Sequence, residues 1–386
     1  MIENQINTKV KKVLFALVIA LLFFPMIQQQ WGLVDLKPLR GAFRVSSNPS
    51  FDFQNWLEGK YQDEKQKYIK QNVGFASFFI RLKNQVYFSA FNQAKAKSVV
   101  VGNNQYLCQE KYIMSFLGKD FVGEEKVHED VLKLKRVVDT LQAKGIELVF
   151  IIAPGKASFY PELIPSSYDL NEKGVTNHEA YSKAIGQNEI HLLDFHSWFN
   201  EMKPTSAFPL IPKTGAHWSE YGELLAADSM ISYINTIYHK KQIPSLSFGK
   251  IESSNEMRYS DDDIEKGMNL LFDIEDLTMG YPEFHIEELE SAEKTKMLTV
   301  GDSFFTCMFR WIKPKEVFNN GQFWFYNKEA FHKGSSEPII LEGINVLKEV
   351  EKNDVVIIMT TDANLPNFTF GFVDQLFDCY YNSKVE

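Results

Sequence analysis

Three short apolar runs constrain this chain most: residues 147–152 (ELVFII), 296–300 (KMLTV) and 355–360 (VVIIMT). Each is rich in β-branched residues and too short for a buried helix, so each reads as a strand covered on both faces. Residues 190–194 give a fourth strand. Helical stretches lie between them. Over residues 128–144, Val131, Leu134, Val138 and Leu141 form a stripe that Gly145 closes. Residues 181–186, 219–237 and 340–350 also read as helical. Such alternation predicts a three-layer α/β sandwich around a mostly parallel sheet, with functional loops at the carboxyl ends of its strands. With 45% hydrophobic residues in 386, a disordered, collagen-like or disulfide-stapled chain is excluded. A net charge of −9 argues against nucleic acid, whose binding depends on neutralising phosphates.

The amino terminus follows a different rule. Residues 13–27 (VLFALVIALLFFPMI) are unbroken apolar sequence, preceded by Lys9, Lys11 and Lys12. Lysines before an apolar stretch predict a signal-anchor with the lysines kept in the cytoplasm and the rest exported. No small-residue cleavage site follows, so the anchor is expected to stay, with Trp31 at the interface. Residues 1–32 are thus the cytoplasmic end and anchor, and residues 33–97 a juxtamembrane helical segment. Residues 98–386 form the α/β domain. At its start, residues 98–102 and 105–107 predict a small hairpin around Gly102-Asn103-Asn104. Within it, residues 245–293 read as an acidic insertion, with Asp261, Asp262 and Asp263 in a solvated loop. Cys108, Cys307 and Cys379 have no metal-binding spacing, and their odd number leaves at least one unpaired. No metal and no cofactor is expected, because the sequence has no phosphate-binding glycine loop and no metal-ligand cluster of convincing spacing.

Two motifs carry chemistry. In the first, the strand ending at Val300 runs into Gly301-Asp302-Ser303. Gly301 permits a tight turn, and Ser303 is presented at a helix start where its own N–H can face an oxyanion. In the second, His217 stands in the loop before a helix that Ser219 caps, while Gly222 and Ala226 let that helix pack closely. A serine hydroxyl is a feeble nucleophile until an imidazole takes its proton, which pairs the two motifs. Trp218 would neighbour the site. Lys156, after the strand 147–152, would meet anionic substrate groups or stand in solvent.

These residues resemble the SGNH hydrolase superfamily: Gly301-Asp302-Ser303-Phe304 its serine block, and His217-Trp218 with Gly222 and Ala226 its histidine block. The order, histidine before serine, resembles the AlgX/AlgJ-type polysaccharide O-acetyltransferases. Residues 99–102, 153–156 and 160–162 resemble further blocks of that family. The resemblance implies an SGNH-like fold and O-acetyl transfer onto an exported polysaccharide. Ser303 would carry the acetyl group and His217 the proton. It also implies a membrane-bound O-acyltransferase partner as donor, and a single-pass location in the cytoplasmic membrane with the main domain on the extracytoplasmic side. A carbohydrate acetylesterase differs only in letting water accept the acetyl group.

One position departs from the family. It places an Asp two residues before the His, where this chain has Gly215. Three arrangements accommodate the change: a Ser–His dyad held by a backbone carbonyl, an acid from elsewhere such as Asp362 or Asp194, or a retired site in a polysaccharide-binding scaffold. Asp302, Asp362, Asn364 and Gly301 are the candidates for orienting the imidazole or supporting the oxyanion, with Asp302 expected to tie down its own turn.

Overall fold

The computed structural model describes residues 2–41, 46–319, 321–332 and 337–382. The chain divides into two compact units, residues 1–97 with 265–273, and residues 98–264 with 274–386.

The first unit is helical: α1 (Ile2–Trp31), α2 (Phe53–Leu57), α3 (Lys60–Asn72) and α4 (Ala76–Phe91). Helix α1 extends the apolar run on both sides. Its stretch Thr8–Trp31 is 24 residues long and contains an apolar window with a mean hydropathy of 2.3 and no buried residue, Gln28 near the end being buried. At about 1.5 Å per residue this is about 36 Å, enough for a hydrocarbon core of about 30 Å. The Gln28 side chain closes the helix by donating to the Val34 carbonyl at 2.6 Å and accepting from the Val34 N–H at 3.1 Å. Arg81 of α4 donates to the Leu270 and Pro38 carbonyls, each at 2.9 Å, which ties residues 265–273 into this unit.

The second unit starts with an antiparallel hairpin of β1 (Val99–Val101) and β2 (Leu107–Gln109). The returning strand begins two residues later than the spacing suggests, because Asn104 and Gln105 take left-handed conformations and form the turn. Helices α5 (Glu110–Phe116) and α6 (Glu124–Ala143) precede β3 (Glu147–Ala153). Then come α7 (Lys156–Phe159), α8 (Asn177–Gln187), β4 (Leu192–Asp194), α9 (Phe195–Met202) and α10 (Glu220–Ile237). Strand β5 (Leu246–Ser254), α11 (Asp263–Met268) and β6 (Met279–Ile286) lead to β7 (Met297–Gly301) and α12 (Ser303–Ile312). The remainder is β8 (Gln322–Phe325), β9 (Glu329–Phe331), β10 (Ile339–Ile340), α13 (Val346–Val350), β11 (Val355–Thr361) and α14 (Phe372–Phe377).

The central sheet has the order β10-β9-β8-β7-β11-β3-β4. The five strands from β8 to β4 are parallel, and β9 and β10 add an antiparallel edge. Side chains alternate between two cores, as the two-residue period of a strand requires. Val149, Ile151, Val355, Ile357 and Met359 face the layer containing α9, α10 and α12. Leu148, Phe150, Ile152, Val356 and Ile358 face α6, α8 and α14. This is the expected α/β sandwich. Strand β3 leads outward to β4, whereas β7 leads outward to β8 on the other side, so the chain reverses direction around β11. The crevice at the carboxyl ends of β3, β11 and β7 is therefore where loops can converge on a ligand.

Two expectations need correction. Residues 340–350 are not one helix: Ile339 and Ile340 pair with β9, and only Val346–Val350 is helical. Nor is the acidic stretch 245–293 irregular, since β5 and β6 pair as an antiparallel ribbon. Most of β5 is exposed, so acids and lysines interrupt the apolar alternation that would mark a strand. Among the described residues all three cysteines are free.

Candidate active site

Strand β7 delivers Ser303 to the first turn of α12. Asp302 caps this helix, its Oδ1 accepting the Phe304 N–H at 3.0 Å. Its Oδ2 accepts from the Thr361 N–H at 2.8 Å, the Thr361 hydroxyl at 2.9 Å and the Asn364 amide at 2.7 Å. Asp302 is completely buried and ties the serine turn to the end of β11, as expected; it does not touch the imidazole. Gly301 serves close packing, because a Cβ there would stand 3.1 Å from the Met359 carbonyl oxygen.

His217 reaches this serine from the loop before α10. Its Nε2 lies 2.9 Å from Ser303 Oγ, a direct hydrogen bond. Its side chain is 16% exposed and Ser303 is half-buried, so the pair is open to solvent from one side. Ser219 caps α10 by accepting the Gly222 N–H at 3.0 Å and donates to the Pro209 carbonyl at 2.6 Å. The loop is thereby fixed at its exit.

The third member is Asp263, the first residue of α11. Its Oδ2 lies 2.8 Å from His217 Nδ1, and its Oδ1 accepts the Ala216 N–H at 2.8 Å. Burial works to raise this carboxyl, but the hydrogen bond and charge of His217, the Ala216 N–H and the Lys156 ammonium bring it below the ordinary carboxylate value. The acid therefore stays ionised and holds the imidazole with Nε2 toward the serine. Sequence reasoning set Asp263 aside as part of a solvated charge run. Its neighbour Asp261 also turns inward, being 1% exposed and accepting the Tyr281 hydroxyl at 2.8 Å. Gly215 explains the relocation. A Cβ there would sit 2.5 Å from the Ser260 carbonyl oxygen and 2.7 Å from that of Asp261, so the segment leading to Asp263 occupies the space a side chain at 215 would need.

Lys156 neither meets substrate nor stands in solvent. It is 2% exposed, and its Nζ donates to the Lys213 carbonyl at 2.6 Å and the Gly215 carbonyl at 2.7 Å. Burial lowers its pKa to about 8. Together with the bond from Ala216 to Asp263, it grips the Gly215–Ala216 peptide from both sides. Trp218 is also no sugar platform, being fully buried against Phe195, Phe199 and Phe304.

Asp362 and Asp194, the alternative acids, belong to a separate cluster at the ends of β11 and β4. Asp362 is buried, accepts the Ser158 hydroxyl at 2.5 Å and lies 3.7 Å from His196 Nε2. Burial raises Asp362 to about 6, while burial and the neighbouring His178 push His196 down to about 3, so His196 is neutral at pH 7 and the contact is no ion pair. Asp194 caps α9 through the Ser197 N–H at 3.0 Å and lies 3.0 Å from His178 Nε2. His178 lies against His196, ring centroids 3.7 Å apart and planes at 30°. Its position at the start of α8, facing β4, accounts for this.

Asn364 does support the serine turn, and it leads to a residue the sequence did not reveal. The Tyr326 hydroxyl lies close to Ser303 and Asn364, and burial raises its pKa. Tyr326 follows β8, its N–H donates to the Gly301 carbonyl at 2.8 Å, and its backbone is left-handed (φ 49°). A bulky residue in that conformation is strained, a sign of a side chain held for its position. The Ser303 N–H and the Tyr326 hydroxyl stand beside the nucleophile, while the Asn364 amide is spent on Asp302 and the Thr361 hydroxyl.

Comparisons with known proteins find similarity to part of the chain. Residues 99–255 match the family described as "SGNH hydrolase-like domain, acetyltransferase AlgX". A probable alginate O-acetylase AlgJ of Pseudomonas putida is 24% identical over 148 residues, 38% of this chain. That match spans 36% of the relative's length, about a third. Among solved structures, the O-acetyltransferase domain of Pseudomonas putida AlgJ covers 73% of this chain and 99% of its own, at 15% identity and a TM-score of 0.47. Bacillus cereus PatB1 covers 71% and 99%, at 13% identity and 0.45. Pseudomonas aeruginosa AlgX covers 72% and 67%, at 14% identity and 0.44. Over residues 99–255, the segment that holds His217, this chain carries the SGNH hydrolase-like sequence pattern of the AlgX acetyltransferases, and the fold returns Ser303 and Asp263 from beyond it.

Proposed function

We propose that this protein is a membrane-anchored O-acetyltransferase acting on an exported polysaccharide. The observation that carries the reading is the continuous chain Asp263–His217–Ser303, with bonds of 2.8 and 2.9 Å. In the first half-reaction, His217 Nε2 takes the Ser303 proton as Oγ attacks the acetyl carbonyl of an ester donor. Asp263 stabilises the imidazolium without taking its proton. The oxyanion is met by the Ser303 N–H and the Tyr326 hydroxyl, while the Asn364 amide holds Asp302 and so the turn that presents them. Collapse expels the donor alkoxide, to which His217 returns the proton, and leaves acetyl-Ser303. In the second half, a sugar hydroxyl gives its proton to His217, attacks the acyl carbon and releases Ser303.

A cleft of about 370 Å³ lined by Tyr326, Lys328, Phe370 and neighbours shares Tyr326 with the site and is where an acceptor sugar would lie. The Phe370 ring meets Tyr326 edge-on at 5.2 Å, so these two rings, rather than the buried Trp218, are the aromatic surfaces of that cleft. The donor would come from a membrane-bound O-acyltransferase, and α1 would anchor the chain in the cytoplasmic membrane with the α/β unit outside. The inactive-scaffold reading rested on Gly215 and loses that support once Asp263 supplies the carboxylate.

Mass spectrometry of the full chain incubated with p-nitrophenyl acetate tests the reading. An acetyl adduct on Ser303, missing in Ser303→Ala, is expected. No adduct and no turnover in the wild type would overturn it. Oligosaccharide acceptors then divide transfer from hydrolysis: acetylated sugar marks a transferase, free acetate alone an esterase.

A further inference from the structure

Helix α4 carries an apolar face that stays largely exposed among the described residues. Phe79, Leu82 and Val86 recur at helical spacing and are 51%, 40% and 48% exposed, with Phe78 beside them at 38%. A contiguous exposed apolar patch marks an interaction surface. What it faces is set by the turn between α3 and α4. Gly74 lies so close to α1 that a Cβ would stand 1.9 Å from the Pro25 carbonyl oxygen and 2.7 Å from the Gln29 nitrogen. Only glycine permits that approach of backbone to backbone, the contact by which small residues pack membrane helices. Phe75 follows in a left-handed conformation (φ 65°) and stacks on Phe24 of α1, ring centroids 4.9 Å apart and planes at 18°. Phe78 and Phe79 each lie 6.4 Å from Phe75, so the cluster continues from α1 onto the exposed face.

Helix α1 also gives the depth. With Lys12 at the cytoplasmic boundary, Phe24 is about 18 Å further along at about 1.5 Å per residue. The hydrocarbon core is about 30 Å thick. The level of Phe24 and Phe75 is therefore inside the outer half of the bilayer. We propose that the α3–α4 turn and the exposed face of α4 are immersed in the outer leaflet, as an interfacial helical hairpin beside the anchor. This rests on the reading of α1 as a membrane anchor. Lys70 in the last turn of α3 and the exposed Lys83 of α4 stand next to the apolar surface and suit the phosphate level of the leaflet. Lipid is the favoured occupant over a soluble protein because the turn is packed against the span itself.

The test uses the full chain in phosphatidylcholine–phosphatidylglycerol vesicles, spin-labelled at single introduced cysteines on a Cys379→Ser background. Leu17→Cys reports the anchor, Phe79→Cys and Val86→Cys report the α4 face, and Glu64→Cys on α3 serves as the aqueous reference. Labels at positions 17, 79 and 86 should collide more with oxygen than with a water-soluble nickel chelate, and the label at 64 the reverse. Agreement of 79 and 86 makes the result independent of damage from either substitution. A lipid-exposed label at 17 with water-exposed labels at 79 and 86 overturns the hairpin and leaves the anchor standing. A water-exposed label at 17 overturns both.

Discussion

At residue scale, one glycine and one aspartate exchange roles. The carboxylate that orients the imidazole comes from Asp263, 46 positions beyond His217 in sequence. Asp263→Asn should lower ester turnover at neutral pH by about four decades, the size of effect seen when such an orienting acid loses its charge. Asp194→Asn, in the separate histidine cluster, should change it little; steady-state rates of the two variants side by side decide the matter. Moving the acid back should fail. Gly215→Ala already presses a methyl group into the Ser260 and Asp261 carbonyls and should destabilise the fold by about 1–3 kcal/mol in urea unfolding. Gly215→Asp should also lose turnover rather than regain it. Ser303 and His217 were legible because each stands in a local motif. Asp263 was not, since nothing in three consecutive acids says which one turns inward.

At the scale of elements, the catalytic helices are joined behind the site. Glu223 of α10 is 1% exposed, accepts the Trp311 indole N–H at 2.7 Å and meets Arg310 of α12 at 3.2 Å. Burial raises Glu223 to about 7, against the attraction of Arg310 and the Trp311 bond. A carboxyl whose pKa is higher folded than unfolded binds its proton more tightly in the native state. Stability should therefore fall as pH rises from about 4.5 to about 7, by up to about 1.4 kcal/mol per pH unit, and level off above. Asp261, raised by burial to about 7, adds in the same direction. Glu223→Gln should flatten this slope in urea midpoints measured across that range; an unchanged slope would exclude Glu223 as its source. The buried strands β3, β7 and β11 and the helices α6 and α10 could be read from apolar period alone. The β5–β6 ribbon could not, because a strand open to solvent along most of its length keeps no apolar alternation.

For the whole molecule, α1 is the element whose surroundings matter most, its apolar window having a mean hydropathy of 2.3 and no buried residue. Replacing Leu17 and Leu21 together by lysine should shift the protein from the membrane pellet toward the supernatant on alkaline carbonate extraction. Each charge costs about 2.5–3.5 kcal/mol at the centre of a span. Retention equal to the wild type would sink the anchor reading. Sequence by itself determined the layered α/β class, the apolar amino-terminal helix and the serine–histidine pair, because strand burial, helix period and capping turns are properties of neighbouring residues. The tertiary structure alone decided which acid completes the triad, that Lys156 and Trp218 are buried supports, and that Tyr326 stands beside the nucleophile. Those facts depend on which loops meet at the end of the sheet, and on the space that a missing side chain at Gly215 leaves for another segment to fill.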